Sequence, residues 1–145
     1  MIIVSDRTYY KSDFLTMKGM INMFVLLSMI FCHIVDDYYL QGWLASAKQK
    51  SWWEKNAPDK LYKNDYIMAL IMHSMSWSFM IMLPLAVYNS FNVGWSFTVI
   101  FIINALIHGI VDNLKANVKK INLIQDQMIH IIQIILTFVI LTMLV

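Results

Sequence analysis

The sequence predicts an all-α protein, an integral membrane four-helix bundle with a polar His/Asp site in its cytoplasmic half. Three observations predict it. The chain is 59% hydrophobic and 14% charged, with a mean hydropathy of +0.60, whereas a soluble domain carries about a quarter charged residues. The apolar residues lie in long runs free of Asp, Glu, Lys and Arg, at 19–35, 66–88, 93–111 and 127–145, and a helix needs roughly 20 apolar residues to cross the hydrocarbon. The four histidines divide one to a run: His33, His73, His108 and His130.

The elements follow in chain order. Residues 1–18 mix apolar and polar types and read as an N-terminal interfacial segment, without the basic start, apolar stretch and small-residue cleavage site of a signal peptide. Residues 19–145 form one domain, with spans at about 19–41, 66–88, 93–115 and 124–145. Between the first two spans, the loop 42–65 holds Lys48, Lys50, Lys55, Lys60 and Lys63 beside Trp43, Trp52, Trp53 and Tyr62. Tryptophan and tyrosine favour the headgroup level and lysines sit just outside it, so a short surface-lying helix ended by Pro58 is expected there. The link between the second and third spans is short and uncharged, and Lys115, Lys119 and Lys120 mark the link between the third and fourth. The single Cys32 excludes an internal disulfide framework.

Antiparallel spans put the loops after the first and third on one side, which then holds eight of the eleven basic residues (five in the loop 42–65, three at 115–120). The positive-inside rule assigns that side to the cytoplasm and both termini to the outside of the inner (plasma) membrane. Expected partners are the bilayer itself, anionic lipid headgroups at the lysine loops and a second copy of the chain, with no nucleic acid.

Three histidines have an aspartate four residues away: His33 with Asp37, His108 with Asp112, and His130 with Asp126. Four residues turn a helix by about 400°, so each pair shares a face, roughly 6 Å apart along the axis. The alternating spans bring all four histidines to nearly one depth, about two turns in from the lysine-rich side, with each paired aspartate displaced toward that side. Ionisable groups inside a bilayer are costly and persist where they pair, face the interior or bind something. One polar site is the expectation.

Imidazole with carboxylate suits a divalent transition metal: zinc first, with iron or manganese as alternatives. The expected metal ligands are His33, Asp37, His108, Asp126 and His130, with His73 and Asp112 as further ligands or as the general base of catalysis. Gln41, two turns from His33, and Lys115, three residues after Asp112, are expected to orient a ligand or meet substrate. Asp36 either shares the site or stands beside the headgroups. Asn104 reads as a helix–helix hydrogen bonder, and the half of the bundle away from the lysines as almost purely apolar. A metal that activates water near neutral pH would make the protein an intramembrane hydrolase of a phosphate or acyl ester on a lipid-like substrate. The alternative is a non-enzymatic membrane protein, either a metal or proton carrier or a helix-mediated assembly factor whose His/Asp pairs are structural hydrogen bonds.

At these residues the chain resembles the bacterial and phage multi-pass membrane family known as domain of unknown function 3307. The resemblance rests on His33-x-x-x-Asp37-Tyr-Tyr-Leu-Gln41, an isolated His73, His108-x-x-x-Asp112-x-x-Lys115, and Asp126-Gln127-x-x-His130. It runs from about residue 20 onward and implies a small membrane protein without an established activity. The N-terminal extension and the long aromatic–lysine loop are expected to lie outside it.

Overall fold

The structure, a computed structural model, describes residues 3–144 and the side chains of residues 15–143. Helix α1 (Ile3–Val35) runs without a break from the N-terminal segment into the first apolar run and passes directly into one π-helical turn, Asp36–Leu40. Two short helices follow, α2 (Leu44–Ala47) and α3 (Lys50–Asn56), then the 3₁₀ turn Lys60–Tyr62. The long helices α4 (Asp65–Tyr88), α5 (Trp95–Ala116) and α6 (Leu123–Leu144) complete the fold. The chain is helical, as its composition predicts. The side chains of residues 1–14, which belong to the expected interfacial segment, lie outside the described residues.

Among the described residues, four helical stretches are long and apolar enough to cross a membrane: Leu15–Leu40, Lys60–Tyr88, Trp95–Ala116 and Leu123–Met143. They close a ring in which α4 packs between α1 and α5, and α6 between α5 and α1. Val25, Met29, Trp77, Ile81, Met82, Leu85, Ile134 and Leu141 fill the centre. The outer faces are apolar as well: Phe24 is 72% exposed, Trp95 80% and Ile124 70%. Large apolar residues turned outward all round a bundle are what an apolar surrounding favours, and helices satisfy every internal backbone group without help from it.

Small residues set the spacing of α4 and α5. A Cβ built on Gly109 would stand 2.8 Å from the Ser74 hydroxyl oxygen, so the two helices touch closely where only hydrogen fits. Because Ser74 and Gly109 are the chain neighbours of His73 and His108, this contact draws two of the site's helices together. Helix α6 is fixed at its other end. Asn122 Oδ1 accepts from the Gln125 amide (2.9 Å) and Gln125 Oε1 from the Asn122 amide (3.0 Å), a reciprocal cap that sets the first turn just before Asp126.

One lysine of the aromatic–lysine loop is turned away from the surface. Lys50, Lys55, Lys60 and Lys63 are half-buried or exposed, but Lys48 is buried. Asn117, at the end of α5, holds the loop there: its amide nitrogen donates to the Lys48 carbonyl (3.0 Å) and its oxygen accepts from the Lys50 amide (2.7 Å). Trp53 Nε1 donates to the Ala47 carbonyl (2.7 Å) and ties α3 back on α2. These bonds turn Lys48 inward. They also set the loop 42–65 at the same end of the bundle as the α5–α6 link.

Candidate metal centre

All four helices contribute to one buried cluster. His33, Asp36, His73, His108, Asp112, Asp126 and His130 are each exposed by 1% or less, and the Asp37 side chain by 7%. The rings of His108 and His130 stack at 4.2 Å, His108 stacks on Trp77 at 4.2 Å, and His73 meets His108 edge-on at 5.0 Å. His33 reaches His130 at 5.8 Å.

The cluster centres on His73 Nε2. His108 Nε2 stands 3.1 Å from it, Gln41 Nε2 3.2 Å, Asp37 Oδ1 3.4 Å and Asp112 Oδ2 3.4 Å. One imidazole nitrogen makes one good hydrogen bond, as donor or as acceptor, so four polar neighbours exceed its capacity. Two ligand atoms each about 2.0–2.1 Å from a tetrahedral ion stand about 3.3–3.4 Å apart. The observed spacing matches that separation.

His130 Nε2 heads a second convergence, with Asp126 Oδ1 at 3.5 Å and Asp112 Oδ1 at 3.7 Å. Among the described residues, two groups bring three ligand atoms within 4.8 Å of one another: Asp37, His73 and His108, and His108, Asp112 and His130. The carboxylates share a pattern. Asp37 Oδ2 and Asp126 Oδ2 both face Gln127 Nε2 (3.4 and 3.0 Å), and Asp126 Oδ2 also takes Lys115 Nζ (2.5 Å). Asp112 Oδ2 takes Lys48 Nζ (2.5 Å), and Asp36 Oδ1 takes the Ser76 hydroxyl (2.6 Å). The other oxygen of each (Asp36 Oδ2, Asp37 Oδ1, Asp112 Oδ1 and Asp126 Oδ1) is buried without a hydrogen-bond donor, as is His130 Nε2. Buried acceptors in that state are rare and costly. Cations among Asp37 Oδ1, Asp112 Oδ1, Asp126 Oδ1 and His130 Nε2 would satisfy these atoms, so the donor set fits a metal.

Two adjacent aspartates reach the cluster because the helix widens to a π turn at Asp36–Leu40. Such a turn admits an extra residue to the inward face, and π turns recur at functional sites. Asp37 then faces His73 Nε2 while Asp36 Oδ2 stands 3.7 Å from His73 Nδ1. That separation is longer than a hydrogen bond, but the carboxylate's charge favours the proton on Nδ1, which leaves Nε2 as a ligand.

His33 is placed differently from its expected ligand role. Its Nδ1 accepts from Trp77 Nε1 (2.7 Å), so Nε2 carries the proton and faces Gln127 Oε1 (3.1 Å). With both nitrogens occupied it stands beside the two groups, with Nδ1 3.6 Å from Asp37 Oδ2. Lys115, expected to orient a ligand or meet substrate, pairs with Asp126 and lies 3.8 Å from Asp112.

Sequence reasoning gave no role within the cluster to Lys48, Trp77 or Ser76, and Gln127 entered only as part of the motif around Asp126. Trp77 stands four residues after His73 and Gln127 follows Asp126, so helical spacing could have found both. Lys48 carries no such signal, because a loop fold and not a helix period brings it in. The half of the bundle away from the lysines is also less apolar than expected. There Gln133 Nε2 donates to Asn104 Oδ1 (2.9 Å), Thr137 donates to the same oxygen (3.1 Å), and Ser78 is buried nearby in sequence to the site.

The family model described as Protein of unknown function (DUF3307) matches residues 25–145. The matched span includes the loop 42–65, which was expected to lie outside the resemblance, and begins after the N-terminal segment. No match was found among curated proteins or among solved structures. The matched segment contains every residue of the cluster, and the chain belongs to the DUF3307 family.

Proposed function

We propose that this chain is a multi-pass inner-membrane protein whose His/Asp cluster holds a divalent transition metal, zinc first, and hydrolyses a phosphate or acyl ester on a lipid-like substrate. The observation that carries it is the convergence on His73 Nε2, where three ligand atoms (His108 Nε2, Asp37 Oδ1 and Asp112 Oδ2) stand 3.1–3.4 Å away. Hydrogen bonding alone gives such a nitrogen one partner; a shared cation gives it several neighbours at this spacing. In this reading Asp37, His73, His108, Asp112, Asp126 and His130 hold metal, Asp36 fixes the ring of His73, and His33 steadies Asp37. His73 and Asp112 thus act as ligands in preference to the general base.

When bound, the metal supplies Lewis acidity at the ester. The chain's own residues do the rest. A cavity of about 370 Å³ at the edge of the cluster is lined by Asp37, Gln41, Lys48, Gln49, Lys115 and Gln127. Its lysines suit the charge of a headgroup and its amides suit ester oxygens. The site's depth within the helices favours a substrate that arrives from the bilayer. The lysine-rich end faces the cytoplasm in this reading, as the positive-inside rule directs.

The test is turnover of fluorescent phospholipid and acyl-ester analogues by purified protein in mixed micelles. Chelator-sensitive hydrolysis that His108→Ala abolishes supports the reading; equal rates in wild type and His108→Ala would sink the hydrolase. A carrier is the second reading, favoured by the buried Asn104–Gln133–Thr137 cluster that continues the polar column beyond His108 and His130. Metal or proton flux into sealed vesicles, absent hydrolysis, would select it.

A further inference from the structure

We infer that the cluster binds two divalent cations at once, bridged by the Asp112 carboxylate. The inference rests on the metal reading above and adds a second site to it. The two oxygens of Asp112 face different histidines. Oδ2 lies 3.4 Å from His73 Nε2 and 3.8 Å from His108 Nε2, on the side where Asp37 Oδ1 also converges. Oδ1 lies 3.7 Å from His130 Nε2, the nitrogen that Asp126 Oδ1 approaches to 3.5 Å. The first site is therefore Asp37, His73, His108 and Asp112 Oδ2. The second is built on His130 Nε2, which converges with Asp112 and is approached by Asp126 Oδ1 at 3.5 Å, one protein ligand fewer. A closed four-ligand set beside a three-ligand set with an open position is how structural and reactive zinc differ, and paired ions stand about 3.5–4 Å apart in two-metal enzymes.

One ion cannot satisfy the cluster. A tetrahedral ion at His73 takes four donors, and this leaves Asp126 Oδ1 and His130 Nε2 buried without a partner, on residues exposed by 0%. Charge admits one divalent ion while both lysines stay on the aspartates, and a second once they leave. Four buried carboxylates (Asp36, Asp37, Asp112 and Asp126) face two ammonium groups, and each ammonium serves one site. Lys48 Nζ sits on Asp112 Oδ2 of the first; Lys115 Nζ sits on Asp126 Oδ2 and 3.8 Å from Asp112 Oδ1 of the second. Two divalent ions would balance the four carboxylates and free both lysines, which already line the neighbouring cavity. There they would face a ligand and no longer an aspartate.

The experiment is a manganese(II) titration of the full-length protein in detergent micelles, read by electron paramagnetic resonance and by bound-metal analysis. About two ions per chain with an exchange-coupled spectrum are expected, since the ions share a carboxylate. A single uncoupled ion would overturn the second site and leave the metal reading standing. No bound ion would overturn both. Asp126→Asn keeps the shape and an acceptor for Lys115, and it should lower the stoichiometry from about two ions to about one and remove the coupling. Retention of the coupled pair in that variant would overturn the ligand assignment.

Discussion

His73 is the residue on which the site depends most, and it is the histidine to which helical spacing gave no partner. Its Nε2 meets residues of α5, of the π turn and Gln41 just after that turn, while Asp36 stands behind its Nδ1. Asp36→Asn keeps an oxygen for the Ser76 hydroxyl but removes the charge that holds the ring's proton. Carboxylates in that position are worth about 10–100-fold in metal affinity. Zinc competition against a chromogenic chelator should show a loss in that range with helicity unchanged, and unaltered affinity would remove Asp36 from the account. The pairs at i and i+4 were legible in the sequence because the helix period alone dictates them: His33–Asp37, His108–Asp112 and His130–Asp126 stand 3.6, 3.8 and 3.5 Å apart. The shorter cross-helix approaches, His73 to Asp37 and to Asp112 at 3.4 Å, were not. They depend on helix rotation and on a π turn that no residue pattern announces.

The four long apolar helices were legible as elements, because an unbroken apolar run of membrane length has few other uses. The expected first span begins at about residue 19 and the helical stretch at Leu15; the expected fourth begins at 124 and the helix at Leu123. The loop 42–65 was legible only in part. Its aromatic and lysine content fits an interface, yet Asn117 and Trp53 fold its first half inward and bury Lys48. Small residues matter at the same scale. Gly109→Leu would force a side chain against the Ser74 hydroxyl, where even a Cβ comes to 2.8 Å. Overpacking of this kind costs about 1–3 kcal/mol, and because His73 and His108 are the neighbours of the two residues, the separation would also pull the first site apart. Thermal unfolding in detergent should fall along with metal retention. A variant of full stability and full metal content would show that the α4–α5 contact does not set the site.

For the whole molecule, the arrangement is a ring of four apolar helices around a polar centre near one end, with the two lysine-bearing links at that end. The proposed orientation puts that end in the cytoplasm. A cysteine at Lys60 or Lys119, in a Cys32→Ser background, should be protected from an impermeant thiol reagent in intact cells and labelled in inverted vesicles. Labelling in intact cells would reverse the topology without altering the site. The account's central claim is that a buried cluster of four histidines and four aspartates exists to hold metal. It is tested most directly by elemental analysis of wild type and His108→Ala, purified through an affinity handle that uses no metal. The account predicts stoichiometric zinc, iron or manganese in the wild type and its loss, by at least about tenfold, in His108→Ala. Well-folded wild-type protein free of these metals after growth in their presence would contradict it.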